Sequence, residues 1–230
     1  MLTLETLRLT QDDFTLSADW QVPTGGRVAL IGPSGAGKST LMAAIAGFLT
    51  PTSGRILWDG ADITNVAPGK RPVAMLFQDG NLFPHLTLAQ NVGLGIRPDL
   101  RLSAADKDRV QTALDRVGLE GMAARKPATL SGGQQSRAAL ARVLVQRRPL
   151  LLLDEPFASL GPALRVEMLD LVADLCRDTG ATLILVSHTP DDARRIADSV
   201  VVVDQGATDA PVDTEAAFAN PSAALSHYLG

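Results

Sequence analysis

Two stretches with the alternation of strands, LTLETLRLT and FTLSADWQV, open the chain, and a turn over residues 23–26 separates them from the apolar run at 28–31. That run leads straight into a glycine-rich loop. From Lys38 the segment STLMAAIAGF predicts a helix ending near Gly47, with Pro51 and Gly54 punctuating the chain beyond it. Residues 55–58 read as a short strand turning at Asp59-Gly60. Residues 73–77 read as another, followed by Gln78 and the turn-rich DGNLFPH.

The texture then changes. Thr87 with Gln90 and Ser103 with Asp106 have capping-box spacing, and Val110, Leu114 and Val117 place an apolar stripe on one helix. Residues from about 85 to 145 are therefore expected to be mostly helical. After Pro149 the strands return at 150–153, 182–186 and 199–203. Between the first two, Pro162 opens a helix whose Leu164, Met168, Leu171 and Leu175 share a face, with Gly180 at its end. Apolar strands joined by helices imply a largely parallel sheet covered on both faces. With no internal repeat or Ser/Gly linker, residues 1–230 are expected to form one domain carrying the 85–145 helical subdomain as an insertion.

Composition narrows the picture without naming a function. The 230 residues are 46% apolar and 20% charged, which suits an ordered globule rather than a disordered or fibrous chain. The 21 basic and 25 acidic side chains leave a net charge of -4, so no overall field favours nucleic acid, and no nucleic-acid partner is expected. A single cysteine, Cys176, cannot form an internal disulfide or supply a multi-cysteine metal site. The start MLTLETLRLT does not read as a secretory peptide, and no run reaches the length of a membrane span, although docking onto a membrane partner stays open.

The chemistry begins at GPSGAGKST, residues 32–40, placed between an apolar strand and a helix. Gly32, Gly35 and Gly37, with Pro33, Ser34 and Ala36 between them, let the backbone wrap around phosphates and present N–H donors and a helix start. Lys38 is expected to reach the terminal phosphates, the Ser39 hydroxyl to ligate Mg²⁺, and Thr40 to support the loop. In LLLLDEP four apolar residues precede Asp154, a second candidate Mg²⁺ ligand, and Glu155, a candidate to orient or deprotonate attacking water. Gln78 and His188 each follow a strand directly, where their side chains can leave the sheet at its ligand-binding end and sense a phosphate or its water.

GPSGAGKST, Gln78, the LSGGQ of Leu130 to Gln134, LLLLDEP and His188 together resemble the nucleotide-binding subunit of ATP-binding cassette (ABC) transporters across almost the whole chain. The resemblance implies an α/β fold: a phosphate-loop NTPase core with a mainly parallel sheet, an N-terminal antiparallel β portion and the inserted helical subdomain. It implies an ATPase using ATP and Mg²⁺, with Lys38, Gln78, Glu155 and His188 catalytic and Ser39, Gln78 and Asp154 around the metal. It further implies a head-to-tail pair of copies, in which Ser131, Gly132, Gly133 and Gln134 of one cap the nucleotide held by Lys38 of the other. More narrowly, PTSG, the segment KRPVAMLFQDGNLFPHLTLAQNVGLG from Lys70 and LLLLDEPFASL resemble the ATPases of bacterial thiamine importers. That likeness implies a peripheral protein on the cytoplasmic face of the inner membrane, working under an integral permease fed by a periplasmic solute-binding protein, with Leu82, Phe83 and Pro84 as candidate contacts to the permease. For Phe83, simple core packing is an equal alternative.

Importers of iron or other small solutes, and non-transport cassettes in protein assembly or DNA repair, stay open as alternatives. A cassette that binds ATP and turns it over poorly is a third. Importer ATPases for maltose, polyamines or sulfate often carry a large C-terminal domain, whereas the residues after Gly206 are expected to form only a small helical tail around Ala216 and from Ala223 onward. Three departures from the family pattern carry expectations. Gly161 replaces a common aspartate and is expected to weaken coupling between paired sites. The ring usual at the adenine position is missing unless Phe14 serves, and its alternation in FTLS favours core packing, with Gln11 in the loop. Finally, QSRAALAR is less charged than usual, leaving Arg137 and Arg142 either to support the signature loop or to solvate a surface.

Overall fold

The computed structural model describes residues 1–77 and 82–229. Its first two strands, β1 (Leu2–Gln11) and β2 (Phe14–Val22), pair antiparallel. Strict alternation cannot bury both Leu4 and Leu7, which are three residues apart. A register shift between them, with Thr6 at φ 42°, returns both to the interior.

The chain continues through β3 (Arg27–Ile31), α1 (Lys38–Ala46), β4 (Ser53–Trp58), β5 (Ala61–Asp62) and β6 (Val73–Leu76). The helical insertion holds α2 (Leu88–Gly93), α3 (Ala104–Arg116) and α4 (Gly132–Leu144). Then come β7 (Leu150–Asp154), α5 (Pro162–Thr179), β8 (Thr182–Val186), α6 (Pro190–Ile196), β9 (Ser199–Asp204), β10 (Ala207–Thr208), β11 (Val212–Asp213), α7 (Thr214–Ala219) and α8 (Ala223–Leu229). The sheet order is β5-β4-β1-β2-β10-β9-β3-β8-β7-β6, with β11 beside β9. Strands β9, β3, β8, β7 and β6 run parallel, and the N-terminal pair with β4 and β5 is antiparallel.

Because the parallel strands are buried on both faces, their alternate residues enter different cores. Leu150, Leu152, Ile184 and Val186 pack with α1 and the antiparallel strands, while Leu151, Leu153, Leu183 and Leu185 pack with α5 and the helical insertion. Ala29, Ile31, Val200 and Val202 close a third core with Ala193, Ala217 and Leu225 from the last three helices. Cross-strand register sets the functional edge: Leu30 lies opposite Val186, and Val186 opposite Asp154. The residues that follow, Gly32, Ser187 with His188, and Glu155, therefore emerge together at the carboxyl ends of three adjacent strands.

Both expected capping boxes form, at Thr87–Gln90 and Ser103–Asp106. Among the described residues, no helix is long and apolar enough to cross a membrane. Cys176 is buried among apolar side chains, and burial pushes its thiol up to about 11, so it carries little thiolate at neutral pH.

The end of α1 is closed by a buried cation. Arg71 is 1% exposed and donates from Nη1 to the carbonyls of Ala44 and Ile45 at 2.8 Å, from Nε to Val66 at 2.7 Å and from Nη2 to Thr64 at 2.7 Å. Burial lowers its pKa from the ordinary guanidinium value, opposed by Asp62. Its place at a helix C-terminus, where carbonyls have no intrahelical partner, offsets that cost.

Candidate active site

The loop between β3 and α1 depends on two glycines. Gly32 has φ +147°, and a Cβ there would lie 2.0 Å from the Val203 carbonyl oxygen; Gly37 has φ +105°, and its Cβ would meet the Phe14 ring at 2.7 Å. Gly37 is also the N-cap of α1 and supplies no side-chain acceptor, nor is there an acid in the first turn. The leading N–H groups of the helix are thus left for an anionic ligand. Lys38 is buried, and its Nζ donates to the carbonyls of Gly32 and Pro33, both at 2.8 Å. Two of its three donors are used.

Ser39 Oγ donates to Asp154 Oδ1 at 3.2 Å. Desolvation raises the Asp154 pKa above the ordinary carboxylate value and lowers that of Lys38 below the usual amine. Burial therefore disfavours both charges, and a cation beside Asp154 and an anion beside Lys38 would restore them. A hydroxyl and one carboxylate are hard oxygen donors. Among the described residues no cluster of three or more His, Cys, Asp or Glu forms an all-protein cage. This donor set fits a hydrated Mg²⁺ that shares its remaining ligands with substrate phosphates.

Glu155 follows at φ 46°, left-handed backbone uncommon for a residue with a side chain, and its N–H donates to the Val186 carbonyl at 3.1 Å. This turn brings its carboxylate oxygen Oε1 against Nε2 of His188. Glu155 and His188 line a cleft of about 440 Å³ with Lys38, Ser39, Gln11 and Phe14. Phe14 packs against the core as expected and in addition reaches the cleft. Its ring is half-buried against Gly37 and borders the cleft, because the loop crosses over the start of β2. Gln78 lies outside the described residues.

The signature segment lies elsewhere on the molecule, and none of Ser131, Gly132, Gly133 or Gln134 lines this cleft. Ser131 is the N-cap of α4: its Oγ accepts from Gln134 N–H at 3.3 Å, and Gln134 Oε1 accepts from Ser131 N–H at 3.1 Å. This capping box falls on the same residues that the family resemblance places over a partner's nucleotide. The two glycines differ. Gly132 is exposed with nothing near its absent Cβ, whereas a Cβ on Gly133 would stand 2.2 Å from Leu164 of α5. One turn on, Arg137 donates to Glu167 of α5 at 2.6 Å and to the Val117 carbonyl at 3.2 Å, so it braces α4 rather than merely solvating a surface.

The site also contains residues that motif spacing did not single out. Ser187 and Asp192 are buried beside His188; Ser187 Oγ donates to Asp192 Oδ2, and Arg165 Nε donates to the same oxygen at 3.0 Å. The acid four residues beyond His188 was the available signal. Gly161 proves to be the N-cap of α5, with no side-chain hydrogen bond, a φ of -64° open to any residue and free space at its Cβ. Gly161→Asp should therefore stabilise the protein by about 0.3–1 kcal/mol through capping and the helix dipole, read as an increased urea midpoint. An unchanged midpoint would reject the capping account.

A phosphate loop and an acidic strand end on one sheet edge, with a second, exposed helix start in the helical insertion, define the ATP-binding subunit of ABC transporters. Residues 16–158 match the family described as ABC transporter, more than half the chain, and the protein belongs to that family and is an ATPase. It is similar in particular to the thiamine import ATP-binding protein ThiQ of Cereibacter sphaeroides, at 58% identity over 230 residues and 100% of both chains. ThiQ of Ruegeria sp. is 59% identical over the same span, again 100% of both. Among solved structures, CbiO1 from Clostridium perfringens superposes with a TM-score of 0.84 at 31% identity, covering 95% of this chain and 90% of that one. The ATP-binding cassette MJ0796, solved as a dimer bound to ADP and Pi, gives 0.81 at 28% identity over 93% and 99%. The expected fold class, from antiparallel start to helical insertion, is borne out.

Proposed function

We propose that the chain hydrolyses ATP in the cleft around Lys38 to drive thiamine import through a separate membrane permease. The observation that carries the solute is similarity at 58–59% identity over the entire length to proteins named for thiamine import. The chemistry rests on the geometry. The loop from Gly32 to Thr40 binds the phosphates through backbone N–H groups, and Lys38 adds a point charge. Ser39 and Asp154 hold Mg²⁺, which when bound offsets phosphate charge. Glu155 accepts a proton from the attacking water, and His188, in contact with its carboxylate, holds that pair in orientation.

A second copy completes the site in this reading. The start of α4 is exposed at Ser131 and Gly132 and stands apart from its own cleft, and the related cassette MJ0796 forms dimers. In a head-to-tail pair, the first turn of α4 directs its N–H groups toward the partner's nucleotide. The permease docks around Phe48, which is 59% exposed and pairs with Phe77, and Phe83, which is 46% exposed rather than in the core. Residues 1–230 then act as one cassette domain with the 85–145 insertion as its moving part, peripheral to the cytoplasmic face of the inner membrane and reached indirectly by a periplasmic solute-binding protein.

The test is reconstitution of the chain with candidate permeases and binding proteins in vesicles. Thiamine loaded on its binding protein should stimulate ATP hydrolysis and accumulate in step with it. Stimulation by an iron chelate or another solute, with no thiamine uptake, would overturn the assignment of solute while leaving the ATPase intact.

A further inference from the structure

The loop that carries His188 is held by more than its own sequence neighbours. The peptide plane joining His188 to Thr189 is hydrogen-bonded at both ends. Its N–H, from Thr189, donates to Ser187 Oγ at 3.0 Å, and its carbonyl, from His188, accepts from the Tyr228 hydroxyl at 2.7 Å. Ser187 is itself fixed, donating to Asp192 and accepting from Arg165 Nη2 at 3.1 Å. With both ends of the plane pinned, the backbone torsion that aims the His188 side chain has little freedom left.

The outer of these two pins comes from the last helix of the described chain, 40 residues away. Helix α8 is seated by Leu225, 1% exposed in the core with Ile31, Val200 and Val202, and Tyr228 packs against that core while its hydroxyl crosses the sheet edge to the loop. The ring alone would satisfy the packing. The hydroxyl is a polar addition whose contact is with the backbone of the one histidine facing Glu155.

We propose that Tyr228 is a positioning residue for hydrolysis, its hydroxyl fixing the His188 peptide so that the imidazole stays against Glu155. This rests on the reading of His188 given under the proposed function. Removing the hydroxyl frees one end of the plane and lowers the fraction of time in which the Glu155–His188 pair is formed, without touching the phosphate loop.

The experiment is a double-mutant cycle in the full chain, with Tyr228→Phe, His188→Ala and both together, read as single-turnover ATP hydrolysis over long incubations beside nucleotide affinity and melting temperature. Tyr228→Phe should slow turnover about fivefold, with affinity and melting temperature near wild type, and should cost nothing further once His188 is alanine. Wild-type turnover in Tyr228→Phe, or an equal slowing in the His188→Ala background, would overturn the role of Tyr228 and leave that of His188 standing. Unimpaired turnover in His188→Ala would instead bring down the reading of His188, and this proposal with it.

Discussion

Glu155→Gln should bind ATP as tightly as wild type while hydrolysing it about 10²- to 10⁴-fold more slowly. Glutamine keeps the shape of the side chain and can still hydrogen-bond to His188, but it cannot take a proton at neutral pH. The groups proposed to bind phosphate and metal are untouched: Lys38 keeps its carbonyl partners, and Ser39 its bond to Asp154. The Glu155 charge also helps hold the Asp154 pKa up, so its removal favours an ionised Asp154 and a stronger metal carboxylate. Equilibrium binding of ATP and release of phosphate, measured on the same preparations, test the two halves separately. Turnover close to wild type would remove Glu155 from the hydrolytic step.

The second large effect is on stability. Arg71→Met should destabilise the fold by about 3–5 kcal/mol, a large share of the few to fifteen that hold a domain together. Methionine fills part of the volume but leaves the carbonyls of Ile45, Thr64 and Val66 without the donors Arg71 supplies, and that of Ala44 with only the Gly47 N–H, in a region closed to water. Arg71→Lys restores the charge but not the planar fork that reaches four oxygens, and should recover less than half of the loss. Urea unfolding at unchanged slope gives the measurement. A midpoint for Arg71→Met near wild type would mean that water or a rearranged helix end satisfies those carbonyls.

Much of this was readable before any coordinates, and the reason is local. The phosphate loop, two capping boxes and the helix from Pro162 to its stop at Gly180 are written in residues a few positions apart. The parallel strands announced themselves as uninterrupted apolar runs because both of their faces are buried. What stayed hidden depends on partners far along the chain. Nothing in the sequence around Arg71 marks it for burial; the end of α1 and the Thr64 and Val66 carbonyls that surround it come from other parts of the chain. Phe14 reads as a core residue by alternation, yet the loop at Gly37 turns its ring toward the cleft. Tyr228 gave no signal at all, since its partner is a backbone oxygen. The Ser131–Gln134 capping box has the same local spacing as those at Thr87 and Ser103, but lies within the LSGGQ motif.

The fit of Leu164 over Gly133, with Arg137 reaching Glu167 one turn further on, has a mechanical corollary. The first turns of α4 and α5 behave as a single stiff hinge plate, because interpenetrating side chains in a close-packed interface do not slide independently. Arg165 on the same stretch of α5 grips Asp192 beside His188. A tilt of α4 carried by this stretch of α5 would therefore be felt at Asp192, next to His188.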